Sequence, residues 1–242
     1  MKSADARLLA LVGEEILDLV EREVPPLVRG DFLSRDEFLR RWEAMPHVKR
    51  AELIRGVVYM PSPVSTQHGD MEHHVGTWLG VYEAASPGCR GSNNLTWMMG
   101  EEAPQPDLSL RILPEYGGQS HMEGRYAAGA PEFLAEVCIS STAYDLHQKM
   151  EVYQEAGVRE YLAVLMRERE VRWHQWTDGR FEVVAAPEDG VYRSIIFPGL
   201  WLDAAALLAG DLARVLSVLQ DGLRTPEHQQ FIEQLATRRG KP

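Results

Sequence analysis

Apolar residues recur at helical spacing in several stretches of the chain, separated by short unbroken apolar runs. Leu8, Val12, Ile16, Leu19 and Val20 mark a first amphipathic helix, which Pro25-Pro26 ends, because proline removes a donor and crowds the preceding turn. Ser34 with Glu37 three residues later, then Phe38, Leu39 and Trp42, has the capping pattern of a helix over residues 34–44. Met71, Val75, Trp78, Leu79 and Tyr82 predict another over 65–85. Between these two, residues 51–60 hold two apolar runs around Gly56, the signature of a hairpin, and Pro61-Ser62-Pro63 breaks it.

The centre of the chain changes period. Residues 94–99, 106–113, 132–139 and 160–165 are short and apolar, as strands covered on both faces should be. A helix over 145–156, stopped by Gly157, separates the last two. Strand, helix, strand predicts parallel neighbours with a right-handed crossover. A further hairpin, 171–176 with 180–185, turns at Asp178-Gly179. After Pro198, Leu207, Leu208, Leu212, Leu216 and Leu219 restore helical spacing, and a last helix starts at Pro226. The expected class is α/β (α+β), a mixed central sheet flanked by helices, with extra helices at both termini.

Composition narrows the classes of function. The chain has 242 residues, 45% of them apolar and 25% charged, which is ordinary for a globular protein with a sizeable core. No basic start with an uninterrupted apolar stretch is present, and no apolar run approaches the roughly 18 residues of a membrane span. The first helix carries acids on its polar face, so it is expected to pack on the body or on a second copy of the chain, as in a homodimer, rather than on a membrane. Cys89 and Cys138 allow at most one bridge, which suits a cytoplasmic location. The net charge of −11 argues against unaided, non-specific binding to nucleic acid. Residues 51–160 concentrate that charge, with 15 acids against 6 bases.

Three acids stand in apolar settings. Asp107 opens the run Leu108 to Leu113, Glu136 lies inside Phe133-Leu134-Ala135-Glu136-Val137-Cys138-Ile139, and Glu52 starts the first hairpin. Burying a carboxylate costs several kcal/mol unless a cation or donors compensate. Carboxylates brought together repel, and a hard cation relieves that repulsion. Caps or pairing with arginines would compensate them as well, so the residues alone leave both readings open. On the helix over 145–156, Leu146, Met150 and Tyr153 form the apolar stripe and Lys149 shares their side, while His147, Gln148, Glu151 and Gln154 face outward. The chain has only four lysines against 21 arginines, so a lysine kept here suggests a need for a compact point charge. His68, His73 and His74 with Asp70 or Glu72 invite a zinc reading, but without HExxH spacing and with adjacent His73 and His74 pointing apart they read as a solvated helix face. Cys138 reads as a small buried apolar residue, and Trp173 and Trp176 as sheet packing in preference to base stacking.

Taken in order, these pieces match a known pattern. Glu52-Leu53-Ile54-Arg55-Gly56-Val57-Val58-Tyr59-Met60-Pro61 with His68, then Pro106-Asp107, Glu136-Val137 to Ser140, Asp145 through Lys149 to Tyr153, and Ala156-Gly157-Val158-Arg159-Glu160-Tyr161 resemble the Uma-two-type restriction endonuclease family of the PD-(D/E)XK nuclease superfamily. The resemblance spans about residues 33–208 and implies a restriction-endonuclease-like core. It implies a magnesium-dependent phosphodiesterase, with manganese able to substitute, acting on nucleic acid and on DNA in the first place. Asp107 and Glu136 would hold the metal, helped by Glu52 and the Val137 carbonyl, and Lys149 would orient the attacking water. The superfamily usually places its lysine two residues after the second acid; here that residue is Cys138, and Lys149 on the next helix takes the part, as the family tends to show. The division expected is a helical extension over 1–32, the nuclease-like domain over 33–208 and a helical tail over 209–242. The contrasting expectation is a catalytically silent member of the fold that acts as an interaction or regulatory module; a hydrolase of other phosphoesters would use the same residues.

Overall fold

The computed structural model describes residues 24–60, 63–138 and 145–239. The amphipathic helix expected around Leu8 to Val20 lies outside the described residues, as do Pro61, Ser62, Ile139 and Ser140. No described helix is long and apolar enough to cross a membrane.

Helix α1, Arg35–Glu43, starts at the predicted cap, where the Ser34 hydroxyl accepts from the Glu37 N–H. The hairpin follows as β1, Glu52–Ile54, and β2, Val57–Tyr59, paired antiparallel. Its two-residue turn places both Arg55 and Gly56 at positive φ, 54° and 74°, which matches the twist of the strands and explains the glycine. Helix α2, Thr66–Ala85, buries all five of the expected apolar positions. Trp78 is fully enclosed, and its indole N–H still finds the Trp201 carbonyl at 2.9 Å.

The main sheet has six strands in the order β11-β10-β9-β8-β5-β3. They are β3 Cys89–Asn93, β5 Leu108–Ile112, β8 Phe133–Cys138, β9 Glu160–Leu165, β10 Glu170–Thr177 and β11 Arg180–Val183. The strand–helix–strand unit is present, with β8 and β9 as parallel neighbours joined through α3, Met150–Ala156. Every other pairing in this sheet is antiparallel. Residues of β8 alternate between its two faces. Phe133, Ala135 and Val137 join α2 and the C-terminal helices in one core cluster; Leu134 and Cys138 join Val152, Tyr153 and Tyr161 in another. Cys89 and Cys138 are buried in these two different clusters.

One expected strand is corrected. Residues 94–99 do not form a unit, because Asn94 adopts φ 51° and turns the chain. Asparagine tolerates that left-handed conformation. Before the turn lies edge strand β3, whose Cys-Arg-Gly-Ser-Asn sequence has no apolar run to reveal it. After it, β4, Trp97–Met98, joins β7, Tyr126–Ala128, and β6, His121–Glu123, in a separate small sheet. The 171–176 and 180–185 hairpin is β10 with β11, and Trp173 packs in the core beside Phe133 with ring centroids 5.4 Å apart.

The chain then pairs β12, Val191–Arg193, with β13, Trp201–Asp203, and closes with α4 Ala204–Ala209, α5 Leu212–Leu223 and α6 Pro226–Arg238. Val215, Leu219, Phe231 and Leu235 from the last two helices lie in the same core as α2. Backbone meets backbone where α5 crosses the start of β13. A Cβ on Gly222 would stand 2.3 Å from the Gly199 carbonyl oxygen. Gly222→Ala is therefore expected to destabilise the fold by about 3 kcal/mol, seen as a lower urea midpoint at unchanged slope.

Two buried histidines make the fold acid-sensitive. Burial lowers the pKa of His174 against the opposing pull of the Tyr161 carbonyl, and burial likewise lowers that of His228. A histidine lowered in the folded state takes up a proton on unfolding, so its stabilisation holds above about pH 6.5 and falls away on acidification. His228→Gln should make the fall in Tm between pH 7.5 and pH 5.5 shallower than in wild type.

Candidate active site

Sheet register creates the site. Strand β5 pairs β8 with Leu108 opposite Ala135, Ser109 opposite Leu134 and Leu110 opposite Phe133. One further step in that register puts Asp107 opposite Glu136, on the face that carries Leu134 and Cys138. The Val137 N–H donates to Asp107 Oδ2 at 2.9 Å, which holds the carboxylate at the sheet end. Asp107 is 8% exposed and Glu136 3%.

Lys149 enters from the turn that precedes α3. Residues Asp145–Lys149 form a π-type turn, a wider coil often found at functional positions. Lys149 and Tyr153 share one face, as their spacing predicts, and both are buried; Val152 is the buried apolar neighbour, whereas Met150 is only half-buried. Glu136 Oε1 accepts from Lys149 Nζ at 2.9 Å and from the Tyr153 hydroxyl at 2.6 Å. Burial, then the Glu136 carboxylate, push the Tyr153 hydroxyl well above its ordinary pKa, so it stays a donor.

Glu52 comes from the hairpin. Arg55 in its turn pairs with Glu155 on α3 at 2.7 Å, which docks the hairpin against that helix. Glu52 is 9% exposed, so this hairpin start is buried and not solvated. Its Oε1 takes the Gln105 N–H at 2.8 Å and lies 2.9 Å from Lys149 Nζ. The ammonium is thus shared by two carboxylates from distant parts of the chain. All four expected residues, Glu52, Asp107, Glu136 and Lys149, come to one end of the sheet.

Four further residues cluster around Asp107. His68 Nε2 stands 3.6 Å from Asp107 Oδ2 and 3.7 Å from Glu72 Oε2. Arg50 reaches the other oxygens, Asp107 Oδ1 and Glu72 Oε1, at 4.0 Å each. Asn94 donates to Glu72 Oε1 at 2.8 Å. Burial opposes ionisation of Asp107, but His68, the Val137 N–H and the charge of Lys149 outweigh it and leave its pKa lowered. His68 is raised in turn, first through Asp107. Sequence reasoning set Glu72 aside and did not reach Arg50 or Asn94; the one available signal was the i,i+4 spacing of His68 and Glu72.

Glu52, Asp107 and Glu136 are three buried carboxylates with one buried ammonium shared by two of them, and carboxylate oxygen is a ligand type that magnesium and manganese accept; among the described residues, the group whose ligand atoms converge within 4.8 Å is Asp107 with Glu72 and His68. A cleft of about 590 Å³ lies elsewhere, lined by Gln67, Asp70 and His74 of α2 and by Arg167 and Arg169 of the turn after β9, and none of Glu52, Asp107, Glu136 or Lys149 lines it.

The comparisons agree with this architecture. The family model described as "Uma2: Putative restriction endonuclease" matches residues 35–205. A crystal structure from Anabaena variabilis, titled as a putative nuclease belonging to DUF820, superposes with a TM-score of 0.52 at 18% identity. That match covers 73% of this chain and 99% of the other, and at such identity it speaks for the fold. None of the curated proteins matches the chain.

Proposed function

Since the chain belongs to the Uma2 restriction endonuclease family, we propose that it is a divalent-metal-dependent endonuclease that hydrolyses phosphodiester bonds, with DNA as substrate. The observation that carries this reading is that Asp107, held by the Val137 N–H, and Glu136 are both buried at one end of the sheet, with Lys149 held between Glu136 and Glu52.

Asp107 and Glu136, with Glu52 and the Val137 carbonyl, would hold magnesium, for which manganese can substitute. The bound ion would act as a Lewis acid toward the phosphate oxygens. The chain's own groups do the rest. The Lys149 ammonium donates toward the attacking water and offsets charge that grows on the phosphate as the bond to the leaving oxygen breaks. Tyr153 fixes the Glu136 carboxylate through its hydroxyl, and the Val137 N–H fixes Asp107. Buried donors of this kind need no reorganisation during the reaction.

Cleavage of supercoiled, linear and single-stranded DNA by the full chain, with and without Mg²⁺ or Mn²⁺, tests the reading. Metal-dependent nicking by wild type, lost in Glu136→Gln, is the expected result. Metal binding without cleavage of any nucleic acid would favour a silent interaction module instead.

A further inference from the structure

Strand β3 is the outermost strand on one side of the main sheet, with β5 as its neighbour. In that pair Arg90 stands directly opposite Arg111, and Ser92 opposite Ser109. Cys89, Leu108, Leu110 and Ile112 point into the core with α2. Alternation along the strands therefore turns Arg90, Ser92, Ser109 and Arg111 to the other face, the one that carries Asp107. Arg111 lies four residues from Asp107, so their Cα positions are about 13 Å apart, the axial length of about four nucleotides.

Arg111 is a half-buried cation with no acid in contact. Its Nε is shut off from solvent without a hydrogen-bond partner, and among the described residues no carboxylate stands within ion-pair distance of it. Glu132 and Glu115 attract it only from further away. The two Glu132 oxygens are taken by the Ile112 and Gln119 N–H groups, at 2.8 and 3.0 Å. The guanidinium lies over Trp97 instead, 5.4 Å from the ring centroid, which fixes its plane. Arg90 reaches Glu83 with its Nε at 3.3 Å, and its side chain stays 56% exposed. Burial, then the charge of Arg90, hold the Arg111 guanidinium below its usual pKa. Like charges directly opposite each other on paired strands are destabilising. Two of the 6 bases in residues 51–160 are nevertheless set against each other here, in a chain of net charge −11. An anion bound between them would relieve both the repulsion and the buried charge.

We propose that Arg111, with Arg90 across the strand pair, binds a backbone phosphate of nucleic acid at the β3 edge of the sheet. A planar fork held by stacking offers its amino groups to two phosphate oxygens at once, which an ammonium cannot do. Ser92 and Ser109 lie between this pair and Asp107. Arg111 is a binding residue and takes no part in bond breaking. Its distance from the scissile bond rests on the nuclease reading; the phosphate contact does not.

Anisotropy of a labelled DNA duplex and a labelled single strand, titrated with the full chain in Ca²⁺ over a range of salt, tests this. Arg111→Gln should weaken binding about 10-fold or more and reduce the salt slope by about 1, since one phosphate contact is lost. Arg111→Lys should recover the slope but only part of the affinity. Arg180→Gln makes the same change of charge on β11, the opposite edge of the sheet, and should match wild type. Because the wild-type guanidinium is unpaired, Arg111→Gln should keep or raise the Tm. Absence of binding by wild type, or an Arg111→Gln curve equal to wild type, would overturn the proposal. So would a fall in Tm with Arg111→Gln, which would make the arginine a packing residue. A rise in Tm with inorganic phosphate that needs Arg111, without any change in DNA binding, would assign the pair to the free ion and likewise overturn it. DNA binding that depends on Arg111 in a chain that cleaves nothing would end the nuclease reading and leave this site standing. Cleavage by wild type with binding indifferent to Arg111 would do the reverse.

Discussion

Asp107→Asn is expected to lower metal-dependent cleavage by about 10³-fold or more while leaving the fold intact. The amide oxygen of asparagine still accepts the Val137 N–H, so the sheet end keeps its bond. The negative charge goes, and with it an anionic ligand to the proposed magnesium ion and the counter-charge to His68. Because burial opposes the charged form of Asp107, the neutral amide removes a desolvation penalty as well as the attraction of its neighbours. The net change in stability should therefore stay within about 1 kcal/mol. Initial rates on DNA with Mn²⁺, alongside urea unfolding of the same preparation, check both halves. Undiminished cleavage would remove Asp107 from the centre.

Lys149→Met is expected to give the largest loss of stability, about 3–5 kcal/mol at neutral pH. Methionine fills a similar volume, but it leaves Glu52 and Glu136 buried without the ammonium that sits 2.9 Å from each. The double variant Lys149→Met with Glu136→Gln should recover part of it, since a glutamine carbonyl still accepts from Tyr153. Added Mn²⁺ should also restore stability to Lys149→Met, by about 2.7 kcal/mol at one hundred times its Kd. Urea unfolding at pH 7.5, with and without the ion, reads all of these. A variant as stable as wild type at neutral pH would mean that the ammonium does not offset the carboxylates.

Much of the fold was legible because helix and strand periods are local. The buried positions of α2 could be named in advance, since a 20-residue helix against a core repeats its apolar face several times. Strands β8 and β9 were legible as unbroken apolar runs, because sheet neighbours and helices cover both of their faces. Edge strand β3 was not, since an edge needs no apolar run, and the short strands β6, β7, β12 and β13 offer too few residues to show a period.

The same division holds at the site. The chain's own pattern singled out Asp107 and Glu136 as acids in apolar strands, and helical geometry placed Lys149 beside Tyr153. That much follows from sequence alone, because a misplaced charge and a 3.6-residue period are properties of short segments. Only the tertiary structure decided that β5 and β8 pair in the register that sets the two acids face to face. Only docking of the hairpin made Glu52 the second partner of Lys149. The meeting of His68 and Glu72 with Asp107 depends on how α2 is rotated against the sheet, which is set by the enclosure of Trp78 and Tyr82 far along the helix. Register and helix rotation are settled by non-local packing, and no local run of residues encodes either one.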